Sequence, residues 1–583
     1  MNDSSEDYYC SCFEYFLTHH VPSRLAARDA SLYDFASGLA DYAARYLGWT
    51  SLSSRPPMSA EKLMFIAADI RRSGLEAIVL LGQGGSSQAS MTVTKLHEAS
   101  RGRLDVAFRT MDSLSPVFVN HILGSSDPAR TLYIISSKSG STIEPLMLER
   151  VTWQYVLGHL DASKAAERFV AITDSGSLLE QLARDKNYRL ILASPHDVGG
   201  RFSALSVFGL FPAALVGIDI VGVVAAAAAI EASCSADDPE NPALDLACFL
   251  YENYRNGRDK VTLVMPPSGQ VFGLWIEQML AESLGKNSGG ILPNVEVDAS
   301  ILSVPRVDRC CITYEVGDAE SFCESLQNFD ASIPARHFVL NSVEDLFAQF
   351  IIWEYAIAFL GILLKVNPFD QPNVEDTKKR VKRLLLKRPD SLPVCDDYIQ
   401  INFPPPNYIR TLCISKTLLA SDSLAGDLKT VGLCSVDSAL RLLLASLSPG
   451  DYFSLNAFLP FREYGRREAL ERMRNRVASR LGVASCLEIG PRYLHSTGQL
   501  HKGGSNNGVF LYLSADEEND VVIPGETFTL GELAATQALG DFEAVSARDR
   551  RAVLVHLAGN NAETLSRFAD RVCSAISAIK RPI

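Results

Sequence analysis

Residues 76–97 read EAIVLLGQGGSSQASMTVTKLH, and this stretch decides the fold. Six residues, Glu76–Leu81, are almost wholly apolar and β-branched or leucine, the composition of a short buried strand. A glycine-rich turn, Gly82-Gln83-Gly84-Gly85-Ser86, follows at once. Apolar positions then recur at helical spacing to His97. Strand, glycine turn and helix in that order form half of a βαβ unit, and the same form returns at residues 131–145, TLYIISSKSGSTIEP. Further short apolar strands are read at FVAIT (169–173), YRLILAS (188–194), KVTLVM (260–265), CCITYEV (310–316) and HFVLNS (337–342). Strands alternating with helical patterns predict a parallel, doubly wound α/β architecture.

Working outward, residues 1–75 read as a helical N-terminal segment. Residues 76–233 and 244–389 read as two α/β subdomains, joined by the polar CSADDPENPA (234–243). Residues 390–583 read as a further α/β part. It carries the strands DYFSLNAFL and GVFLYL, the helix REALERMRNRVASRLG and a last helix from Ala562. At 583 residues the chain exceeds what one hydrophobic core supports.

Two apolar stretches require a membrane test. The run 203–232 is interrupted by Gly209, Pro212, Gly217 and Asp219, so two buried helices and a turn are expected. The run 349–366 carries Glu354 mid-span and is expected to be a core helix. The net charge of -13 argues against a nucleic-acid footprint, which needs a basic face. Twelve cysteines without C-x-x-C or zinc spacing predict reduced thiols and no metal site. An acidic N-terminus without a basic leader predicts a cytoplasmic address.

An acidic protein needs a local pocket to hold an anion, and two loops offer one. Gly82, Gly84, Gly85 and Ser86 end a strand and open a helix, where backbone N–H groups and the helix N-terminus favour negative charge. Ser137-Lys138-Ser139-Gly140-Ser141-Thr142 brings four hydroxyls and an ammonium to the end of a second strand. A helix cap is the alternative there, but it needs one hydroxyl, not four. Gly199-Gly200-Arg201-Phe202-Ser203 sets an arginine before an apolar run. Arg201 is either half of a buried salt bridge or a fixed cation facing negative charge on substrate. Gln278 and Glu282 are i, i+4 neighbours on one helix, and a partly buried Glu282 would suit a general base. A solvated surface glutamate is the other reading.

Five motifs occur in sequence: GQGGSS, SKSGST, GGRFS, QMLAESLGK and FDQPNVEDTK. Through them the chain resembles glucose-6-phosphate isomerases. It is most similar to the isomerase half of bacterial transaldolase/glucose-6-phosphate isomerase fusions, which have forms of GPRYLHSTGQLHKGG and a similar C-terminal third. The resemblance implies two sugar-isomerase (SIS) type doubly wound subdomains with an additional C-terminal α/β part. It implies reversible conversion of glucose 6-phosphate and fructose 6-phosphate through a cis-enediol, with no cofactor and a small-molecule sugar phosphate as partner. A homodimer is the default expectation, with neither nucleic acid nor membrane as partner.

Residue by residue, the resemblance gives phosphate or substrate binding to Gly85, Ser86, Ser137, Lys138 (through its backbone), Ser139, Thr142, Gln278 and Gln371. Glu282 becomes the base, Arg201 the stabiliser of the enediolate, and Lys378 the group at the ring oxygen. The histidine motif TNGQHAF of most isomerases is absent after Glu282; STGQLHKGG offers its counterpart, with His501 first and His495 second. Gln83, Gln88 and Pro372-Asn373 also depart from the common pattern. The alternative to an isomerase is a non-catalytic sugar-phosphate-binding module of the same fold. Residues 1–75 are too few for a transaldolase barrel.

Overall fold

Strand β1 (Ala77–Gly82) pairs in parallel with both β2 (Ala107–Met111) and β3 (Thr131–Ser136). With β4 (Phe169–Thr173) and β5 (Leu190–Ala193) they form a five-stranded sheet in the order β2-β1-β3-β4-β5. β1, β3 and β4 are buried along their whole length, as continuous apolar runs in a two-faced parallel sheet must be. In the β1–β3 register Gly82 lies opposite Ser136. The two polar loops that follow these strands therefore leave the sheet side by side.

A second parallel sheet holds β6 (Lys260–Val264), β7 (Leu292–Glu296), β8 (Arg309–Val316) and β9 (Ala335–Leu340) in the order β7-β6-β8-β9. The helix Gln270–Leu284 follows β6 and is buried along nearly its whole length. The run 203–232 forms two helices, Val207–Leu215 and Ile220–Ser235, with Asp219 capping the second through Val221 and Gly222. The helix Val343–Leu364 opens on a Ser342/Asp345 capping box. By length and composition it could cross a bilayer, but 89% of its apolar window is buried in the protein. Glu354 lies at its centre, 2% exposed, and burial raises its carboxyl well above the ordinary range.

The computed structural model describes residues 3–102, 104–303, 306–317, 330–386, 397–420, 435–461 and 465–579. The chain divides into two compact units: residues 1–112 with 122–370, and residues 113–121 with 371–583. Both sheets above lie in the first. The expected boundary between residues 389 and 390 lies outside the described residues.

The second unit is built on a six-stranded sheet. β10 (Tyr398–Asn402) pairs antiparallel with β11 (Ile409–Ser415), and β11 antiparallel with β15 (Arg551–Leu557). β15 continues in parallel to β14 (Gly508–Ala515), β12 (Tyr452–Phe458) and β13 (Ala484–Ile489). The helices Val436–Ala445, Arg466–Leu481 and Ala562–Ser577 contribute Leu440, Leu443, Leu470, Met473 and Phe568 to its core. The architecture is α/β throughout: two doubly wound parallel sheets and a further mixed sheet.

Candidate active site

The first loop folds as a tight turn, Gly84–Ser86, with Gly84 at a positive φ of 57°. Gly85 is required by packing. A Cβ there would lie 2.2 Å from the Gly200 carbonyl oxygen and 2.7 Å from the Arg201 nitrogen. GQGGSS and GGRFS thus touch backbone to backbone. Ser203 Oγ joins them, donating to the Gly200 carbonyl at 2.6 Å with the Gly85 carbonyl 3.4 Å away. Ser86 Oγ lies 2.8 Å from the Gln83 carbonyl and 3.0 Å from that of Ser136, while Ser136 Oγ donates to the Ser86 carbonyl at 2.6 Å. The Ser86 hydroxyl proton is therefore engaged at the junction of the two loops.

The second loop gathers its hydroxyls. Ser137 Oγ lies 3.3 Å from Thr142 Oγ1, Thr142 Oγ1 lies 3.5 Å from Ser139 Oγ, and Ser141 Oγ donates to Ser139 Oγ at 3.1 Å. Gly140 takes φ +63°, and a side chain there would meet Ser177 at 2.6 Å. The helix Ile143–Leu157 begins here. Thr142 stands at its N-cap without making a side-chain capping bond. First-turn N–H groups without a side-chain cap, beside a cluster of hydroxyls, are donors of the kind that suit an anion. Lys138 contributes no ammonium to it. Its Nζ is bound to both Asp174 oxygens, at 2.7 and 2.9 Å, and to the Pro195 carbonyl at 2.8 Å.

Glu282 and Gln278 are buried together, 5% and 3% exposed, with Gln278 Nε2 donating to Glu282 Oε2 at 2.9 Å. The alternative of a solvated surface glutamate is thereby excluded. Arg201, 6% exposed, brings Nε to 3.9 Å from Glu282 Oε2. Its Nη2 donates to the Asp370 carbonyl at 3.0 Å, and its Nη1 has no partner among the described residues. A buried guanidinium N–H without an acceptor is costly unless a ligand supplies one. The site also holds Lys286, a residue given no role by the sequence motifs. Its Nζ donates to the Asp370 carbonyl at 2.8 Å, to Asp370 Oδ1 at 2.5 Å and to the Asn367 carbonyl. Burial, and then the neighbouring Arg201 guanidinium, push this ammonium down to about 7. The signal is present in QMLAESLGK, where a lysine stands just past the end of an apolar helix.

Gln371, Lys378 and His501 lie in the second unit. Lys378 is half-exposed on the helix Val374–Leu386 and pairs with Glu375 at 2.7 Å. Two motifs far apart in sequence meet here. Asn373 N–H donates to Gln499 Oε1 at 3.0 Å, and Gln499 Nε2 donates to Asn373 Oδ1 at 2.7 Å. Thr377 Oγ1 and Lys502 Nζ both donate to Asp541 Oδ1, at 3.1 and 2.6 Å. His501, the first choice for the histidine of STGQLHKGG, does not stand in an open loop. The residue lies in the helix Thr497–Gly503 with ring centroids of Tyr452, Tyr493 and Phe510 5.0–6.0 Å away. The flanking glycines end that helix and do not open a loop. Both ring nitrogens are buried without a partner among the described residues, and burial pushes the imidazole down to about 3. His495, at the end of the 3-10 turn Arg492–His495, is half-buried and more accessible.

Two doubly wound parallel sheets give this α/β protein a sugar-isomerase (SIS) type of fold, and its first unit carries a hydroxyl-lined loop and a buried acid–guanidinium pair. Residues 70–302 match the family described as phosphoglucose isomerase. Glucose-6-phosphate isomerase from Symbiobacterium thermophilum is 29% identical over 394 residues, spanning 59% of this chain and 88% of the relative. The enzyme of the same name from Mycoplasmopsis pulmonis is 27% identical over 395 residues, spanning 59% and 91%. Among solved structures, a hypothetical protein from Thermus thermophilus superposes with a TM-score of 0.53 at 22% identity, covering 65% of this chain and 98% of that one. A glucose-6-phosphate isomerase from Chlamydia trachomatis gives 0.50 at 21%, covering 63% and 79%.

Proposed function

We propose that this protein is a glucose-6-phosphate isomerase, interconverting glucose 6-phosphate and fructose 6-phosphate. The observation that carries this reading is the buried Glu282–Gln278–Arg201 constellation, in the same unit as the SKSGST cradle. The names of the relatives and the matched family support it. In the proposed reaction the phosphate sits on the SKSGST loop through Ser137, Ser139 and Thr142, the first-turn N–H groups and the Lys138 backbone. Glu282 removes the C2 proton of the open-chain aldose, and the electron pair moves into a C1–C2 double bond as the carbonyl becomes an enediolate oxygen. Arg201, through its unpartnered Nη1, stabilises that oxygen. The hydroxyl proton of O2 passes to O1, the proton on Glu282 returns to C1 and the carbonyl forms at C2, which gives the ketose and restores the base.

Gln278 orients the carboxylate, and Gly85 serves by letting the two glycine loops meet. Gln371 and Lys378 keep the substrate and ring-oxygen roles that the motif FDQPNVEDTK suggests. For ring opening we favour His495 over His501, because a proton shuttle must reach the ligand and His501 is enclosed by Tyr452, Tyr493 and Phe510. The likeness of GPRYLHSTGQLHKGG to the fusion-type isomerases, a cytoplasmic address and a homodimer belong to the same proposal.

The test is a coupled assay of fructose 6-phosphate conversion with wild type and Glu282→Gln. A positioned base contributes roughly 10²–10⁴-fold, so the variant should bind phosphate normally and lose turnover by that factor. Loss below tenfold would move the base elsewhere. No turnover by the wild type would leave a sugar-phosphate-binding module.

A further inference from the structure

We propose that Lys286 is the positioning residue of the isomerisation site, fixing the Asp370 segment on which Arg201 rests and holding a second buried positive charge beside Glu282. The inference rests on the isomerase reading above. Arg201 and Lys286 donate to the same acceptor, the Asp370 main-chain carbonyl, at 3.0 and 2.8 Å. That carbonyl is the only hydrogen-bond acceptor of the Arg201 guanidinium among the described residues; the carboxylate oxygen of Glu282 stands 3.9 Å away. Wherever Asp370 moves, Arg201 follows.

Lys286 determines where Asp370 is. An ammonium carries three donors. Here its three acceptors are the carbonyls of Asn367 and Asp370 and the Asp370 carboxylate. It therefore has no N–H left for a substrate, which makes it a positioning residue. The segment 367–370 is braced further by Asn367, whose Oδ1 accepts from the Phe369 N–H at 2.9 Å and whose Nδ2 donates to the Leu39 carbonyl at 3.3 Å.

The charges support the same assignment. Four ionisable groups face one another: Arg201 and Lys286 against Glu282 and Asp370. Tyr42, on the helix Leu39–Ala44, also faces Asp370 and Arg201, but burial first and Tyr46 next push its phenol up to about 12, so it stays neutral. At rest the two cations balance two carboxylates. When Glu282 takes the substrate proton it becomes neutral and one negative charge appears on substrate oxygen, so the balance holds through the step. Without a proton on Lys286 the site would carry one uncompensated negative charge throughout the step, beside the forming enediolate. Buried charges at this separation are weakly screened.

The experiment compares pH profiles of kcat and KM for wild type, Lys286→Arg and Lys286→Met. It also measures affinity for inorganic phosphate and for an open-chain enediolate analogue of the hexose phosphate. In the wild type kcat should fall as pH rises through about 7, with KM little changed. Lys286→Arg keeps a permanent cation and should lose that alkaline limb. Lys286→Met should lose kcat by about a hundredfold, the usual cost of a 1 Å misplacement, and bind the enediolate analogue correspondingly less while holding phosphate as before. If Lys286→Met fails to fold, Lys286→Met/Asp370→Asn, which removes both charges, replaces it with the same expectation. An unchanged alkaline limb in Lys286→Arg overturns this inference alone. A wild type that turns over no hexose phosphate overturns the isomerase reading, and this inference with it.

Discussion

Gly85→Ala offers a sharp test of how the site is assembled. The added Cβ would meet the Gly200 carbonyl oxygen at 2.2 Å, its carbon at 2.3 Å and the Arg201 nitrogen at 2.7 Å. All three are main-chain atoms, so no rotamer relieves the contact. Ordinary carbon contacts begin near 3.5 Å, which requires one backbone segment to retreat by about 1 Å. Neither retreats freely, since Ser203 ties Gly200 to Gly85, while Ser86 and Ser136 tie the first loop to β3. Overpacking of this kind costs about 1–3 kcal/mol, and a 1 Å displacement of Arg201 should lower kcat by about a hundredfold. Thermal melting and the coupled isomerase assay measure the two effects. Gly199→Ala is the control: no atom lies within 4 Å of its Cβ and its φ is −67°, so it should melt like wild type. Gly85→Ala with unchanged melting and turnover would refute the close approach of the two loops as the device that sets Arg201.

Ser139→Ala with Thr142→Ala should raise KM for sugar phosphates more than it lowers kcat, because phosphate is held alike in ground and transition states; steady-state kinetics decides, and an unchanged KM would relocate the phosphate. His501→Phe should keep activity and improve acid tolerance. In the folded protein this imidazole stays neutral down to about pH 3, whereas the unfolded chain protonates it near 6.5. Stability therefore falls as pH drops from about 6.5 toward 3, and removing the group removes that loss; chemical denaturation at pH 7 and pH 4.5 measures it, and an equal acid loss in the variant would contradict the buried, neutral state. His495→Ala should impair turnover of the ring form while sparing affinity for an open-chain enediolate analogue; equal loss of both would make His495 structural.

Much of the fold is legible in the sequence because buried parallel strands are continuous apolar runs. TLYIIS and FVAIT form β3 and β4 at their expected bounds. Six strands are not read from the sequence: β2, β7, β10, β11, β13 and β15. β2 carries Arg109 at its centre, and β7 contains Pro293, a residue that argues against a strand except at a sheet edge, where β7 lies. β13 begins ASC, with little strand character, whereas β15 (RAVLVHL) carries a continuous apolar run, AVLV, that marks a buried strand.

The site divides along the same line. Local sequence determined that a strand would end in GQGGSS, that another would end in SKSGST, and that Gln278 and Glu282 would share a helical face, because each depends on residues a few positions apart. Which hydroxyls remained available did not follow. Ser86 is engaged by the backbone of a strand fifty residues away, and Lys138 by Asp174. The sequence ranked His501 above His495, yet it could not show that His501 would be buried, since Gly503-Gly504 read equally as part of a loop or as the end of a short helix. Lys286 shows the reason most clearly. A lysine beside a glycine is ordinarily solvated, and only the closing of residues 367–370 over it, just past the end of the helix Val343–Leu364, makes it a buried cation bound to three oxygens. Hydrogen-bond partners and desolvation are properties of the assembled core, and so the tertiary structure alone decided them.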